Sequence, residues 1–317
     1  MSDRIVHVYT HPACLAHDTG PVHAERPQRL STVTQALQQR LRALDWREAP
    51  RATTAALLRA HVPALLRQVL ETAPRERIML DPDTVLSPGS AEAALRAAGA
   101  AVAAVDAVLG GDTTRAFCAV RPPGHHATGD TAMGFCLFNN VAIAALHALE
   151  VHGLERVAIA DFDVHHGNGT QAIFECEPRV LFASSHQMPL YPDTGHAGER
   201  GVGNIVNAPL PPGSGGDAFR AAWSSRLLPA IEAFAPQLLL VSAGFDAHRR
   251  DPLAQLALEA DDYAWLTTQL AAIAARHADG RIVSLLEGGY DLEALRDCSV
   301  AHVGALLSGD DIAIPPA

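Results

Sequence analysis

Short apolar runs alternate with longer segments of helical spacing along most of the chain. The apolar runs predict strands at residues 4–9, 115–120, 156–162, 179–184, 237–242 and 281–286. Apolar residues that recur every three or four positions predict helices at residues 27–45, 88–109, 138–151, 169–175, 216–234, 260–276 and 291–307. Segments rich in proline and glycine predict loops at residues 121–134, 187–203 and 209–216.

The predicted strands have no polar face. VAIA and VLFA, for example, place apolar side chains on both sides of the strand. Strands buried on both faces are typical of a parallel sheet that is covered by helices on each side. No internal repeat, linker or low-complexity stretch interrupts the pattern, so we expect one α/β domain over residues 1–317.

Composition narrows the class of protein further. The 317 residues include 24 basic and 35 acidic side chains, and the net charge of −11 counts against a nucleic-acid partner. All 24 basic residues are arginine. The most apolar window, residues 91–109, carries Glu92, Arg96 and Asp106, which favours a packed helix over a membrane span. Five scattered cysteines and an N-terminus without an apolar leader predict a soluble protein of the cytoplasm, with no membrane partner.

Polar and ionisable residues follow five of the predicted strands. The segments are RPPGHHA after residue 120, DFDVHHGNGT from residue 161, SSH after residue 183, GFDAHRRDP after residue 243 and EGGYD after residue 286. Ligands of open α/β sheets bind at the carboxyl ends of the strands, so these segments are expected to meet at one rim. A purely structural role would bury ionisable groups without partners, which costs several kcal/mol.

Two carboxylates and one imidazole form the strongest candidate metal site. Asp163 and His165 are two apart in an extended segment and point to the same side, and Asp246 follows another strand. Three protein ligands with an open fourth position are typical of catalytic zinc. Zinc polarises a carbonyl and lowers the pKa of water, which suits the hydrolysis of an amide or an ester.

Neighbouring side chains supply the rest of that chemistry. His125 and His126 are candidates for the neutral imidazole that moves the proton, and each needs a partner at its far ring nitrogen. Asp161 and Asn168 are the available partners. Tyr290 follows two glycines and is a candidate hydrogen-bond donor to the oxyanion.

These motifs, found together and in this order, resemble the zinc-dependent histone deacetylase superfamily, most of all its class II and bacterial amidohydrolase branch. The similarity runs from HPACLAHDTGPVHAERPQRL to the last predicted helix. It implies a three-layer arginase/deacetylase fold with a central, mostly parallel sheet of eight strands flanked by helices. It also implies a hydrolase that acts on N-acetyl-lysine-type amides. Acetylpolyamine amidohydrolases belong to the same superfamily.

The resemblance also implies metal ions. One Zn²⁺ would be held by Asp163, His165 and Asp246. One or two structural K⁺ sites would use oxygen atoms, which suit an alkali cation. The first site would use Asp161, Ser184 and Ser185, and the second would use main-chain oxygens near Phe174, Val180 and Asn204.

The resemblance assigns catalytic roles to the remaining candidates. His126 would be the general base and acid, and His125, paired with Asp161, its electrostatic partner. Tyr290 would donate a hydrogen bond to the transition state. Asn168 stands where many relatives have an aspartate, although relatives of class II type also carry asparagine there.

Residues around the expected substrate tunnel bear on specificity. The resemblance implies that Gly134, Phe135 and Tyr191 line a narrow tunnel for the stem of an acyl-lysine, whereas ordinary core packing is the alternative for the two aromatic residues. Leu253 stands where a polyamine-specific relative has a glutamate, which favours an acyl-lysine-type substrate. The net charge of −11 favours polyamines instead.

The sequence leaves two possible roles open for each of four arginines. Arg26 and Arg29 either line an exit channel for acetate or anchor their loop through salt bridges. Arg249 and Arg250 stand where relatives usually have a small residue and a glycine, and they either favour acidic substrates or are simply solvated.

Two rival functions stay open beside a lysine deacylase. One is a deacylase of small acylated amines such as acetylpolyamines. The other is a catalytically silent sensor of acylated ligands, which the intact set of candidate catalytic residues counts against. The sequence does not decide between a monomer and a homo-oligomer.

Overall fold

The computed structural model describes residues 5–308, so Arg4 of the first predicted strand lies outside the described residues. Its centre is a sheet of eight strands in the order β2-β1-β5-β10-β9-β6-β7-β8, and every neighbouring pair is parallel. A separate antiparallel hairpin consists of β3 and β4. The strands are β1 Val6–Thr10, β2 Leu44–Glu48, β3 Ile78–Met79, β4 Val85–Leu86, β5 Arg115–Cys118, β6 Val157–Asp161, β7 Val180–Gln187, β8 Ile205–Leu210, β9 Leu238–Ala243 and β10 Ile282–Leu286.

Helices cover both faces of the sheet. They are α1 Pro27–Arg40, α2 Thr54–Ala60, α3 Pro63–Leu70, α4 Ser90–Gly110, α5 Asn140–Glu150, α6 Asn168–Phe174, α7 Gly216–Ala222, α8 Leu228–Phe234, α9 Ala260–His277 and α10 Leu292–Ser308. One layer is built around α1, α9 and α10, and the other around α4 and α5. The predicted three-layer α/β fold with an eight-stranded parallel sheet is therefore confirmed.

The central strands are as apolar as their sequence indicates. Every residue of β5, β6, β9 and β10 is buried. Strands that are covered on both faces need no polar side, which explains the continuous apolar runs. The same burial makes the polar residues at the strand ends conspicuous.

Two strands and one segment of the chain depart from the prediction. The helix predicted at residues 27–45 ends at Arg40, because Leu41 is extended (φ −120°, ψ 133°) and the chain continues into β2. Neither β2 nor β8 is among the predicted strands. Residues 49–87, for which the sequence pattern predicts no element, contain α2, α3 and the β3–β4 hairpin. The helix predicted at 216–234 is one run of α7, a π-helical turn at Trp223–Leu227 and α8.

Helix α4 is a core helix. It is long and apolar enough to cross a membrane by length and composition, but most of its apolar stretch is buried inside the protein. Alanine, its commonest residue, favours helix and allows close packing. Gly99 is required there, since a Cβ at this position would lie 1.9 Å from the carbonyl oxygen of Pro50.

Candidate active site

The predicted metal ligands come together at the carboxyl ends of adjacent strands β6 and β9. Asp163 and His165 follow β6, Asp246 follows β9, and all three are buried. One ligand atom from each lies within 4.8 Å of the other two. Nδ1 of His165 is 3.1 Å from Oδ1 of Asp163 and 3.2 Å from Oδ2 of Asp246. The donor set is therefore two carboxylates and one imidazole in a compact triangle.

Backbone groups fix the two carboxylates. The N–H of Val164 donates to Oδ1 of Asp246 at 2.9 Å, and the N–H of Gly288 donates to Oδ2 of Asp163 at 2.8 Å. Oδ2 of Asp246 is buried and accepts no hydrogen bond. A buried carboxylate oxygen without a donor is costly in a protein interior, so this atom is suited to a cation.

Glycines leave the room that these carboxylates need. A Cβ on Gly244 would lie 2.0 Å from Oδ2 of Asp163, and a Cβ on Gly288 would lie 2.0 Å from Oδ2 of Asp246. Ordinary contact at a Cβ begins near 3.4 Å. The G of GFDA and the first G of EGGYD are therefore required by the packing of the two carboxylates.

Electrostatics in the triangle favour a bound positive charge. Burial acts to raise the pKa of Asp163, but the imidazoles of His125 and His165 outweigh it and hold the pKa far below its ordinary value. Burial acts to lower the pKa of His165, but the adjacent carboxylates of Asp163 and Asp246 outweigh it and raise the pKa to about 10. The pKa of Asp246 is raised instead, first by burial and then by the charge of Asp163, so a bound cation would relieve the repulsion between the two carboxylates.

Two histidines lie beside the triangle and have different partners. Nδ1 of His125 is 3.0 Å from Oδ2 of Asp161, and Nδ1 of His126 is 2.7 Å from Oδ1 of Asn168. Their ring centroids are 4.1 Å apart. Burial acts to lower the pKa of His125, but Asp163 and Asp161 raise it well above its ordinary value.

The pKa of His126 moves in the opposite direction. Burial lowers the pKa first, and the neighbouring His125 and His165 lower it further. Asn168 is neutral and cannot compensate as Asp161 does for His125. His126 is therefore neutral at pH 7. Because an amide oxygen accepts a hydrogen bond, Nδ1 of His126 carries the proton and Nε2 holds a free lone pair.

A cavity of about 260 Å³ opens onto these groups. Its lining includes the three residues expected to form the tunnel, Gly134, Phe135 and Tyr191, together with the specificity position Leu253. The others are Asp83, His126, His165, Leu190 and Tyr290. The rings of Phe135 and Tyr290 meet edge to face at 5.8 Å, so one wall is aromatic. Asp83 and Leu190 belong to none of the sequence motifs described above, and their position at the cavity is visible only in the fold.

A buried arginine holds the turn that carries Tyr290. The guanidinium of Arg29 donates to the carbonyl oxygens of Glu287 at 2.5 Å and Gly289 at 2.6 Å, and its carbon lies 4.9 Å from the centre of the Tyr290 ring. Arg29 also pairs with buried Glu25 at 3.0 Å. Of the two arginines in HAERPQR, Arg29 thus borders the site, whereas Arg26 lines a separate surface hollow with Asp18 and Arg77.

The two arginines on the loop after β9 make ion pairs. Arg249 contacts Glu259 at 2.8 Å, and Arg250 contacts Glu293 at 2.5 Å. Both side chains are solvent-exposed, which is compatible with solvated rim residues.

Three further buried acidic residues support this region; Glu25 and Glu287 were not singled out in the sequence, and Asp251 was noted in GFDAHRRDP without a role. Glu25 bonds both Arg29 and Arg121, Glu287 accepts the N–H of Gly124 at 2.6 Å, and Asp251 accepts the N–H of Tyr290 at 2.7 Å. Glu287 could have been identified from the sequence, because it directly follows an apolar run, as Asp161 does. Glu25 gave no such signal, because its arginine partner is distant in sequence.

The residues expected to bind the first K⁺ are close together and buried. Asp161 and Ser184 are paired residues of β6 and β7. The hydroxyl of Ser184 lies 3.0 Å from Nδ1 of His186, and Oγ of Ser185 accepts the indole N–H of Trp223 at 2.9 Å.

The second K⁺ set has a different arrangement. The amide nitrogen of Asn204 donates to the carbonyl oxygens of Phe174 at 2.7 Å, Glu177 at 3.0 Å and Val180 at 2.8 Å. The amide occupies the point where these oxygens converge, so an ion there requires Asn204 to move away.

The eight-stranded parallel sheet with helices on both faces is the arginase/deacetylase architecture. A family model described as "Histone deacetylase domain" matches residues 23–306. The chain is 42% identical to the histone deacetylase-like amidohydrolase of Pseudomonas aeruginosa over 301 residues, covering 93% of this chain and 78% of that protein. It is 39% identical to a probable deacetylase of Archaeoglobus fulgidus over 310 residues, covering 95% and 86%. The crystal structure of the HDA15 HD domain superposes with a TM-score of 0.92 at 34% identity, covering 97% of this chain and 89% of that one.

The chain belongs to the histone deacetylase family. The resemblance found in the sequence motifs is thereby confirmed, and the protein is a hydrolase of the deacetylase and amidohydrolase type.

Proposed function

We propose that this protein is a zinc-dependent deacylase that hydrolyses N-acetyl-lysine-type amides to a free amine and acetate. One observation carries the proposal. Two imidazoles, His165 of the ligand triangle and the neutral His126, border the same narrow cavity as the phenol of Tyr290. A ligand set, a base and an oxyanion donor therefore face one small volume, which is the minimum that amide hydrolysis requires.

Asp163, His165 and Asp246 would hold the zinc ion. The fit rests on the compact triangle, on the mixed oxygen and nitrogen donors and on the unsatisfied Oδ2 of Asp246. Zinc supplies Lewis acidity, which polarises the amide carbonyl and lowers the pKa of water. We also propose one structural K⁺ near Asp161, Ser184 and Ser185.

His126 would move the proton. Its Nε2 lone pair is available to take a proton from the attacking water and to return it to the leaving amine. Oδ1 of Asn168 accepts a hydrogen bond from Nδ1–H of His126, with an N···O distance of 2.7 Å, and this bond keeps the ring oriented. His125, charged beside Asp161, would stabilise negative charge that develops nearby.

Tyr290 would donate its hydroxyl proton to the oxyanion. Burial first, and then the charge of Asp246, raise the pKa of the phenol well above its ordinary value, so it stays protonated at neutral pH. The aromatic edges of Phe135 and Tyr191 would contact the alkyl stem of the substrate.

A small acylated amine such as an acetylpolyamine is the second candidate substrate. Asp83 lines the cavity and could attract a distant ammonium group. Leu253, also on the cavity, offers no charge to such a group. We further propose that the chain acts as a single catalytic domain in the cytoplasm, without a nucleic-acid or membrane partner. A homo-oligomer stays open.

A turnover panel tests the proposal. Zinc-loaded protein is assayed for acetate release from an acetyl-lysine peptide, acetylspermidine and acetylputrescine, with Asp83→Asn as a comparison variant. We expect the peptide to be hydrolysed with the highest kcat/KM and Asp83→Asn to retain that activity. Faster hydrolysis of the acetylpolyamines, reduced by Asp83→Asn, would favour the second candidate. Absence of turnover on all three at full zinc occupancy would overturn both.

A further inference from the structure

A second group of metal-ligating side chains lies outside the active site. Within residues 5–308, only two sets of three such residues bring one ligand atom each within 4.8 Å of the others. The first is the triangle of the candidate active site. The second consists of Asp106, His147 and His152.

The backbone places these three residues together. Asp106 is on α4, His147 is in the last turn of α5, and the two helices pack against each other. His152 follows two residues after α5, in a turn held by the Leu154 N–H to Ala148 carbonyl hydrogen bond of 3.1 Å. The turn is therefore part of the helix end rather than a free loop.

Both imidazoles converge on one carboxylate oxygen. Nε2 of His147 and Nε2 of His152 each lie 2.7 Å from Oδ1 of Asp106, and the two ring centroids are 5.2 Å apart. The second Asp106 oxygen adds a further donor atom.

We propose that Asp106, His147 and His152 form a second site for a divalent transition-metal ion such as Zn²⁺, at the surface between α4 and the end of α5. Two imidazoles and a carboxylate suit Zn²⁺, and solvent would supply the open coordination position. The site is reachable, because the side chains of His152 and Asp106 are 27% and 52% exposed. An ion there joins the two helices.

The side chain of Arg59 opposes binding of a metal ion at this site. Its Nη1 lies 3.4 Å from Nδ1 of His147, and its Nε lies 3.3 Å from Glu150. A metal on Nε2 of His147 requires the proton on Nδ1, which then faces the guanidinium. Arg59 must therefore turn away when the ion binds. Arg59→Gln should tighten metal binding, because its amide oxygen can accept a hydrogen bond from Nδ1–H of His147.

Zinc content per chain tests the site. Metal-stripped protein is dialysed against Zn²⁺ and analysed for bound metal, together with His152→Ala and the control His277→Ala. His277 matches His152, since its Nε2 also lies 2.7 Å from a carboxylate oxygen and its side chain is also 27% exposed. We expect His152→Ala to hold one ion fewer than the wild type with unchanged deacylase turnover, and His277→Ala to hold the wild-type number.

The His165→Ala background separates this site from the proposed catalytic zinc. We expect one ion per chain in His165→Ala and none in the His152→Ala, His165→Ala double variant. The same zinc content with and without His152 in both backgrounds would overturn the second site. That outcome would not affect the proposal of a catalytic zinc, because loss of metal in His165→Ala reports on that site alone.

Discussion

Adding one methyl group at Gly288 should displace the proposed zinc ligands without removing any of them. The Cβ of Gly288→Ala would lie 2.0 Å from Oδ2 of Asp246 and 2.6 Å from Oδ2 of Asp163. Since ordinary contact begins near 3.4 Å, the Asp246 oxygen must retreat by about 1.4 Å. Misplacement of a reacting group by about 1 Å lowers rates about 100-fold, and disturbing the surroundings of a metal ligand weakens metal binding about 10- to 100-fold.

The assay separates affinity from fold. Zinc affinity is measured by competition with a chromophoric chelator, turnover is measured at saturating zinc, and thermal unfolding shows whether the fold is kept. Gly110→Ala is the matched control, because a Cβ there meets nothing within 4 Å. A folded Gly288→Ala protein with wild-type zinc affinity and turnover would refute the assignment of Asp163 and Asp246 as ligands.

Three further predictions concern the base, the oxyanion donor and the buried support. Tyr290→Phe should lower kcat by about 100- to 1,000-fold with zinc affinity unchanged, which is the effect of losing one oxyanion donor. Asn168→Asp places a negative charge beside Nδ1 of His126 and should raise its pKa by about 1–3 units, so the acid limb of the kcat/KM profile moves to higher pH. The pKa of Glu25 is about 2 instead of 4.5, because Arg121 and Arg29 outweigh the effect of burial. Its depressed pKa contributes about 3 kcal/mol of stability above pH 4.5 that is lost as the pH falls towards 2, and Glu25→Gln should remove this dependence in urea titrations.

Each of these predictions has a contradicting outcome. Full activity in Tyr290→Phe would remove the phenol from the mechanism. An acid limb that does not move in Asn168→Asp would mean that His126 is not the titrating base. Equal pH dependence of stability in Glu25→Gln and wild type would show that another acidic group is responsible.

The parallel sheet was predictable because its central strands are apolar on both faces. The edge strands were not, and their sequences show why. In β2, the segment LDWRE is half-buried and polar, and it follows a helical pattern without an intervening proline or glycine. In β8, Pro209 lies within the strand and argues against one, but β8 is an edge strand, where a residue without an N–H is tolerated.

The clustering of Asp163, His165 and Asp246 was predictable because all three follow strands in recognisable motifs. The residues that support the site were less predictable, since they are brought to it by contacts between segments that are far apart in the sequence. Glu25 meets Arg121 across 96 positions of sequence, and Asp83 reaches the cavity from the β3–β4 hairpin. The resemblance assigned a main-chain oxygen near Asn204 to a second K⁺ site, and no pattern in the sequence indicates that the side-chain amide of Asn204 donates to three carbonyl oxygens.

Zinc reconstitution of the metal-free enzyme tests the central claim most directly. Stripped protein is titrated with Zn²⁺ while acetate release from an acetyl-lysine peptide is followed, with His165→Ala and His152→Ala in parallel. We predict that activity returns with the first tightly bound ion in the wild type and in His152→Ala, and that His165→Ala stays inactive at every zinc concentration. Full turnover by the metal-free protein, or restoration of activity in His165→Ala, would contradict the account.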